Sequence, residues 1–205
     1  MSGASASAPG DPHEALYQSF LDTLRARHAG FRIVRKSESP LSRVLDRALR
    51  LITGGRQSSF LDRYITTLGA RVYVPDRWDA MPAAERYCIM RHEAVHIAQF
   101  RRFTWPGMAL IYLLLPVPVL FAGGRALIEW EAYRETLAAT WEVRGPAAAR
   151  DPALAEHIVR RFTGPDYVWM WVRAKTIRRA IGRTLDHLEA RSAPTAPAPA
   201  SDPRT

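Results

Sequence analysis

A chain of 205 residues, 47% hydrophobic and 24% charged, is long enough to bury one substantial core and too short for two. Its single cysteine, Cys88, excludes an intramolecular disulfide and any metal site built from cysteines. The net charge of +9 comes from 29 basic residues against 20 acidic ones, and among the basic residues only Lys36 and Lys175 are not arginine. Such a surface favours anionic partners: acidic proteins, nucleic acid or acidic lipid headgroups.

Residues 1–11 are rich in Ser, Ala, Gly and Pro and read as a disordered tail, as does the Ala/Pro run 192–205. The first tail has neither a basic start nor an apolar centre, so it does not read as a signal peptide, and a cytoplasmic location is expected. Between them, 12–191 reads as one domain. Leu16, Phe20 and Leu24 recur every four residues and predict an amphipathic helix over Pro12–Ala29. The same pattern through Leu41, Val44, Leu45, Ala48, Leu49 and Ile52 predicts another over Pro40–Thr53, stopped by Gly54-Gly55. Val72 and Val74 alternate with Arg71 and Tyr73, which predicts a short strand halted by Pro75.

The next stretch carries chemistry. His92-Glu93-Ala94-Val95-His96 spells H-E-x-x-H inside a run without Pro or Gly, and a helix is predicted over Pro82–Arg102, with Asp79 as its cap residue. On a helix the two histidines lie one turn apart on one face, so their imidazoles can converge on one Zn²⁺. Glu93 is then angled toward the position the metal leaves open, as a general base. Cys88 lies one turn before His92 and reads as a small buried filler.

Residues 105–124 carry no charge at all. Pro116 and Pro118 would break a spanning helix in its middle, which favours a helix-turn-helix with Leu110, Leu113, Leu114, Val119 and Leu120 buried against protein. A shallow hairpin dipping into a membrane surface, a peripheral contact through 105–124, is the alternative. A second helix is predicted from Arg125 to Val143. It contains Glu129-Trp130-Glu131-Ala132-Tyr133, and helix geometry rotates Glu131 by roughly 200° from Glu129, so only one of the pair can face a metal.

Taken together, the H-E-x-x-H helix and the following glutamate helix resemble the gluzincin metallopeptidases over about Ala80 to Val143. Several branches of that family carry E-x-x-A-D or E-x-E-A-D on the second helix. Aligned on Ala132, the resemblance implies that Glu129 is the third zinc ligand beside His92 and His96. Tyr133 stands where many members carry an aspartate that orients a histidine ligand, and from there a tyrosine could donate to a reaction oxyanion. The implied fold is mainly α (α+β), a zincin-like core with the Arg71–Val74 strand at the sheet edge above the cleft. The implied activity is zinc-dependent hydrolysis of a peptide or protein substrate with Glu93 as general base. Tyr112 or an arginine are further candidates for the oxyanion.

Gly145–Pro152 reads as a turn, followed by a short helix with Ile158, Val159 and Phe162, broken at Gly164-Pro165. His157 in that helix is the one rival ligand that could reach the cleft; His13, His28 and His187 read as surface or satisfied histidines. The aromatic cluster 167–171 opens a basic helix with Arg173, Lys175, Arg178, Arg179 and Arg183. A core helix with a solvated basic face is the simpler reading, and a grip on nucleic acid or lipid headgroups is the other. Two functions of other classes therefore stand beside the peptidase: a non-catalytic metal-stabilised module, and a membrane- or nucleic-acid-associated protein.

Overall fold

The computed structural model describes residues 11–39, 65–113, 122–164 and 172–193, without the side chains of 105, 106, 109–113, 122 and 123. The described residues are mainly helical, with one small three-stranded sheet. The expected helix 40–53, the aromatic cluster 167–171, the turn 114–121 and nearly all of both tails lie outside them, as do the side chains of Leu110 and Leu113.

Helix α1 (Pro12–Arg27) starts where Asp11 accepts from the His13 amide at 2.9 Å, with Pro12 fitting the first turn, where a backbone N–H has no partner to lose. It buries Tyr17, Leu21 and Leu24, the face its periodicity predicts. Strand β1 (Arg32–Arg35) pairs in parallel with β3 (Arg71–Val74), and β2 (Thr66–Leu68) pairs antiparallel with β3 on its other side. Gly69 supplies the positive φ (+61°) that the two-residue turn from β2 to β3 needs. The sheet order β1-β3-β2 corrects the expectation for Arg71–Val74, which is the central strand and not an edge. Its neighbours are too short to advertise themselves: Arg32-Ile33-Val34-Arg35 and Thr66-Thr67-Leu68 hold no run of alternation. Val72 and Val74 are fully buried, as befits a strand covered on both sides.

After a 3₁₀ turn (Asp76–Ala80), whose Trp78 donates to the Tyr17 hydroxyl at 3.2 Å, comes the long helix α2 (Ala83–Leu113). Asp79 does not cap it; its carboxylate is engaged by the Arg35 guanidinium. α2 runs past the predicted Arg102 and is interrupted only at Thr104, the one non-glycine residue at positive φ among those described. Helix α3 (Ala122–Ala149) breaks at Gly145, whose φ of +83° with an extended ψ is a conformation glycine adopts readily and other residues do not. Asp151 then caps α4 (Pro152–Thr163) through the Ala153 amide, and α5 (Ala174–Ser192) closes the described chain.

Two apolar clusters result. In one, α1, the sheet and the inner face of α2 meet around Tyr17, Val72, Trp78, Met90 and Ile97. In the other, α3 packs with α4 and α5 around Leu137, Ile158, Phe162 and Ile181. α2 and α3 form the seam between them, and Arg91 pins it. Its guanidinium pairs with Glu135 and with Glu142 (2.8 Å), both on α3. Burial works against that charge, but the Glu135 contact outweighs it and holds the arginine's pKa above its usual value. No described helix is long and apolar enough to cross a membrane.

Candidate metal centre

His92 and His96 project from one face of α2 into the seam, and Glu129 projects from α3 toward them. One atom from each of the three lies within 4.8 Å of the others. The two Nε2 atoms are 3.2 Å apart, and a Glu129 carboxylate oxygen is 3.9 Å from His96 Nε2. Two donors each 2.0–2.1 Å from a tetrahedral Zn²⁺ stand about 3.3 Å apart, so the imidazole pair fits such an ion and Glu129 needs only a small approach.

The hydrogen bonds behind the rings decide which nitrogens are available. Gln99, one turn beyond His96, donates from its amide nitrogen to the Ile128 carbonyl (3.0 Å) and the Glu131 carboxylate (2.9 Å). That orientation leaves the Gln99 oxygen facing His96 Nδ1 at 2.9 Å, so Nδ1 carries the proton and Nε2 keeps its lone pair. His92 Nδ1 lies 3.0 Å from the Thr136 hydroxyl, which itself donates back to the Ala132 carbonyl. The hydroxyl therefore accepts from Nδ1–H, and His92 Nε2 also presents a lone pair. Burial, reinforced by neighbouring His96, pushes the His92 pKa well below that of an ordinary imidazole, keeping it neutral. Two lone pairs facing each other at 3.2 Å, with a buried carboxylate beside them, are electron-rich groups that a cation reconciles. The donor set, two imidazoles and one carboxylate, suits a divalent transition-metal ion, zinc among them.

Glu93, 6% exposed, is not one of the three grouped side chains and meets the sheet through β2. The Thr67 hydroxyl of β2 donates to its Oε2 at 2.6 Å. Burial raises the Glu93 pKa above the usual glutamate value; His96 and the Thr67 hydrogen bond oppose that rise, Glu129 adds to it, and the buried Lys36 opposes it. The carboxylate thus sits within the electrostatic reach of the triad without belonging to it.

Comparison with protein-family models, curated proteins and solved structures returned no match. The site must be argued from its own geometry.

The other sequence candidates fall into place around it. Glu131 is exposed and serves as the acceptor for Gln99, outside the triad. His157 lies on the exposed face of α4 and is not in the group. Tyr133 is buried with its ring edge-on to His92, centroids 4.8 Å apart, and packs on Phe162. Cys88 is buried near the Thr140 hydroxyl (3.9 Å), its thiol pKa raised by burial, which marks a packed filler. The Tyr112 side chain lies outside the described residues. Sequence reasoning passed over Gln99, Thr136, Thr67 and Lys36. Two of these leave a signal: Gln99 is three residues after His96, and Thr136 is seven after Glu129, both same-face spacings on a helix. Thr67 and Lys36 leave none, because the sheet alone brings them to Glu93.

Proposed function

We propose that the protein is a zinc-dependent metallopeptidase of gluzincin-like, zincin-type architecture, with His92, His96 and Glu129 as metal ligands and Glu93 as general base. The observation that carries this reading is the pair of Nε2 lone pairs 3.2 Å apart, each oriented by a hydrogen bond at its far nitrogen, beside a buried glutamate. A divalent cation held there would polarise a substrate carbonyl and acidify a water. Glu93 would serve as the general base, accepting a proton from the attacking water and returning it to the departing amine. Thr67 fixes one oxygen of Glu93, leaving the other for the transfer. Tyr133, whose ring lies edge-on to His92, is the tyrosine assigned to the oxyanion in this reading.

The edge role expected of Arg71–Val74 passes to β2. It borders α2 at Glu93 and has no strand on its outer side among the described residues. An extended substrate would pair there by main-chain hydrogen bonds. The test is hydrolysis of denatured casein and of a mixed peptide library, followed by mass spectrometry. Glu93→Gln should lower the rate by about 10²–10⁴-fold, the usual contribution of general-base catalysis. Cleavage at the wild-type rate by Glu93→Gln would leave a non-catalytic metal site in its place.

A further inference from the structure

A groove of about 730 Å³ is lined by residues of α3 and α5 and by Val95 of α2, and none of the three triad residues lines it. One wall is a basic row on α5: Arg179, Arg183, His187 and Arg191, each one helical turn after the last and all exposed. Arg134 of α3 faces the row from the opposite wall. None of these four arginines forms an ion pair among the described residues. Other arginines of the chain do find carboxylates, among them Arg86 with Glu14, Arg91 with Glu135, Arg150 with Glu189 and Arg178 with Glu156. The two carboxylates that line the groove are already engaged, Glu131 by Gln99 and Glu135 by Arg91. Four arginines against one carboxylate not paired with a cation, Glu131, leave this concave surface with a local excess of positive charge. Like charges held together in a groove cost stability unless an anionic partner joins them.

We infer that this groove is a docking site for an extended, acidic polypeptide segment of alternating acidic and apolar residues. Spacing supports that occupant. Successive groups in the basic row rise about 6 Å, and the row spans about 18 Å. Alternate side chains of an extended chain lie about 6.6 Å apart, so carboxylates on every second residue meet the row in register. The residues between them turn to the floor, which is apolar at Val95, Ala138 and Leu188. A nucleic acid strand would want aromatic faces for its bases, and among the described residues the rings lining the groove are those of His187 and of Trp130, the latter already packed edge-on to Phe162. A lipid surface is flat, and this surface is concave.

Fluorescence anisotropy with the full chain tests the assignment, the probe being a fluorescein-labelled nonapeptide, Glu-Val-Glu-Ala-Glu-Val-Glu-Ala-Glu, checked by mass for integrity. Binding is expected to weaken at least tenfold in Arg183→Glu, and to weaken as sodium chloride rises from about 50 to about 300 mM. Arg77→Glu, the same charge change on the exposed 3₁₀ turn, should leave it within twofold. Should Arg183→Glu lose its far-UV circular dichroism, the milder Arg179→Gln/Arg183→Gln pair carries the same expectation. No binding overturns the inference, and so does an equal loss in Arg77→Glu. Tighter binding of a deoxythymidine decamer, or of vesicles containing phosphatidylserine, overturns it as well.

Discussion

Gln99 shows how much of the site lives one bond behind it. Its amide is fixed by two acceptors on α3, and that orientation alone assigns the His96 tautomer. Gln99→Ala removes the orienting acceptor without touching a ligand, so metal affinity should fall by about 10–100-fold, read by competition with a chromophoric chelator. Unchanged affinity would mean that the His96 ring is held by packing alone. Thr67 bears on the proposed general base. Thr67→Val keeps the volume and deletes the hydroxyl that donates to Glu93. Metal content should stay the same while kcat falls about tenfold, since a neutral hydrogen bond contributes roughly 0.5–1.5 kcal/mol and more to a charged partner. Thr67→Ser should recover most of the loss. A drop shared equally by both variants would make Thr67 a packing residue.

At the scale of elements, the helices and the strand Arg71–Val74 were legible, and the two strands that flank it were not. α1, α2, α4 and α5 announce themselves through apolar residues every three to four positions, and their ends fall at Asp11, Pro82, Asp151 and Gly164. β1 and β2 are defined by the partner they find, not by a pattern of their own: three or four residues offer too few alternations to stand out from a loop. The same physics explains which site residues were visible. His92, His96 and Glu129 sit in local motifs on two helices, whereas Thr67 reaches Glu93 only through strand pairing. The α2–α3 seam rests on a long-range contact that no local pattern shows, Arg91 with Glu135 and Glu142. Arg91→Met retains the packing stem and removes the charge. We expect a loss of about 1–2 kcal/mol, more than a lone exposed pair because one guanidinium serves two carboxylates, seen as a lower urea midpoint with an unchanged m-value. A loss below about 0.3 kcal/mol would mean that the seam is held by its apolar contacts.

Across the whole molecule, the triad spans two apolar clusters that otherwise meet only along helix packing. His92 and His96 belong to the helix that closes one cluster, and Glu129 to the helix that opens the other. A metal there would tie the two together, so its binding energy is added to folding. Free metal at a hundred times its Kd would add about 2.7 kcal/mol, and removing it should lower Tm by roughly 5–10 °C in a chain of this length. The most direct measurement is metal content by mass spectrometry on protein purified without affinity metal, for the wild type, Glu93→Gln and Glu129→Ala. One equivalent of zinc in the first two, with Glu129→Ala losing most of it, is the result predicted here. Metal-free wild-type protein that takes up no zinc on titration, or a Glu129→Ala variant that keeps its full equivalent, would contradict it.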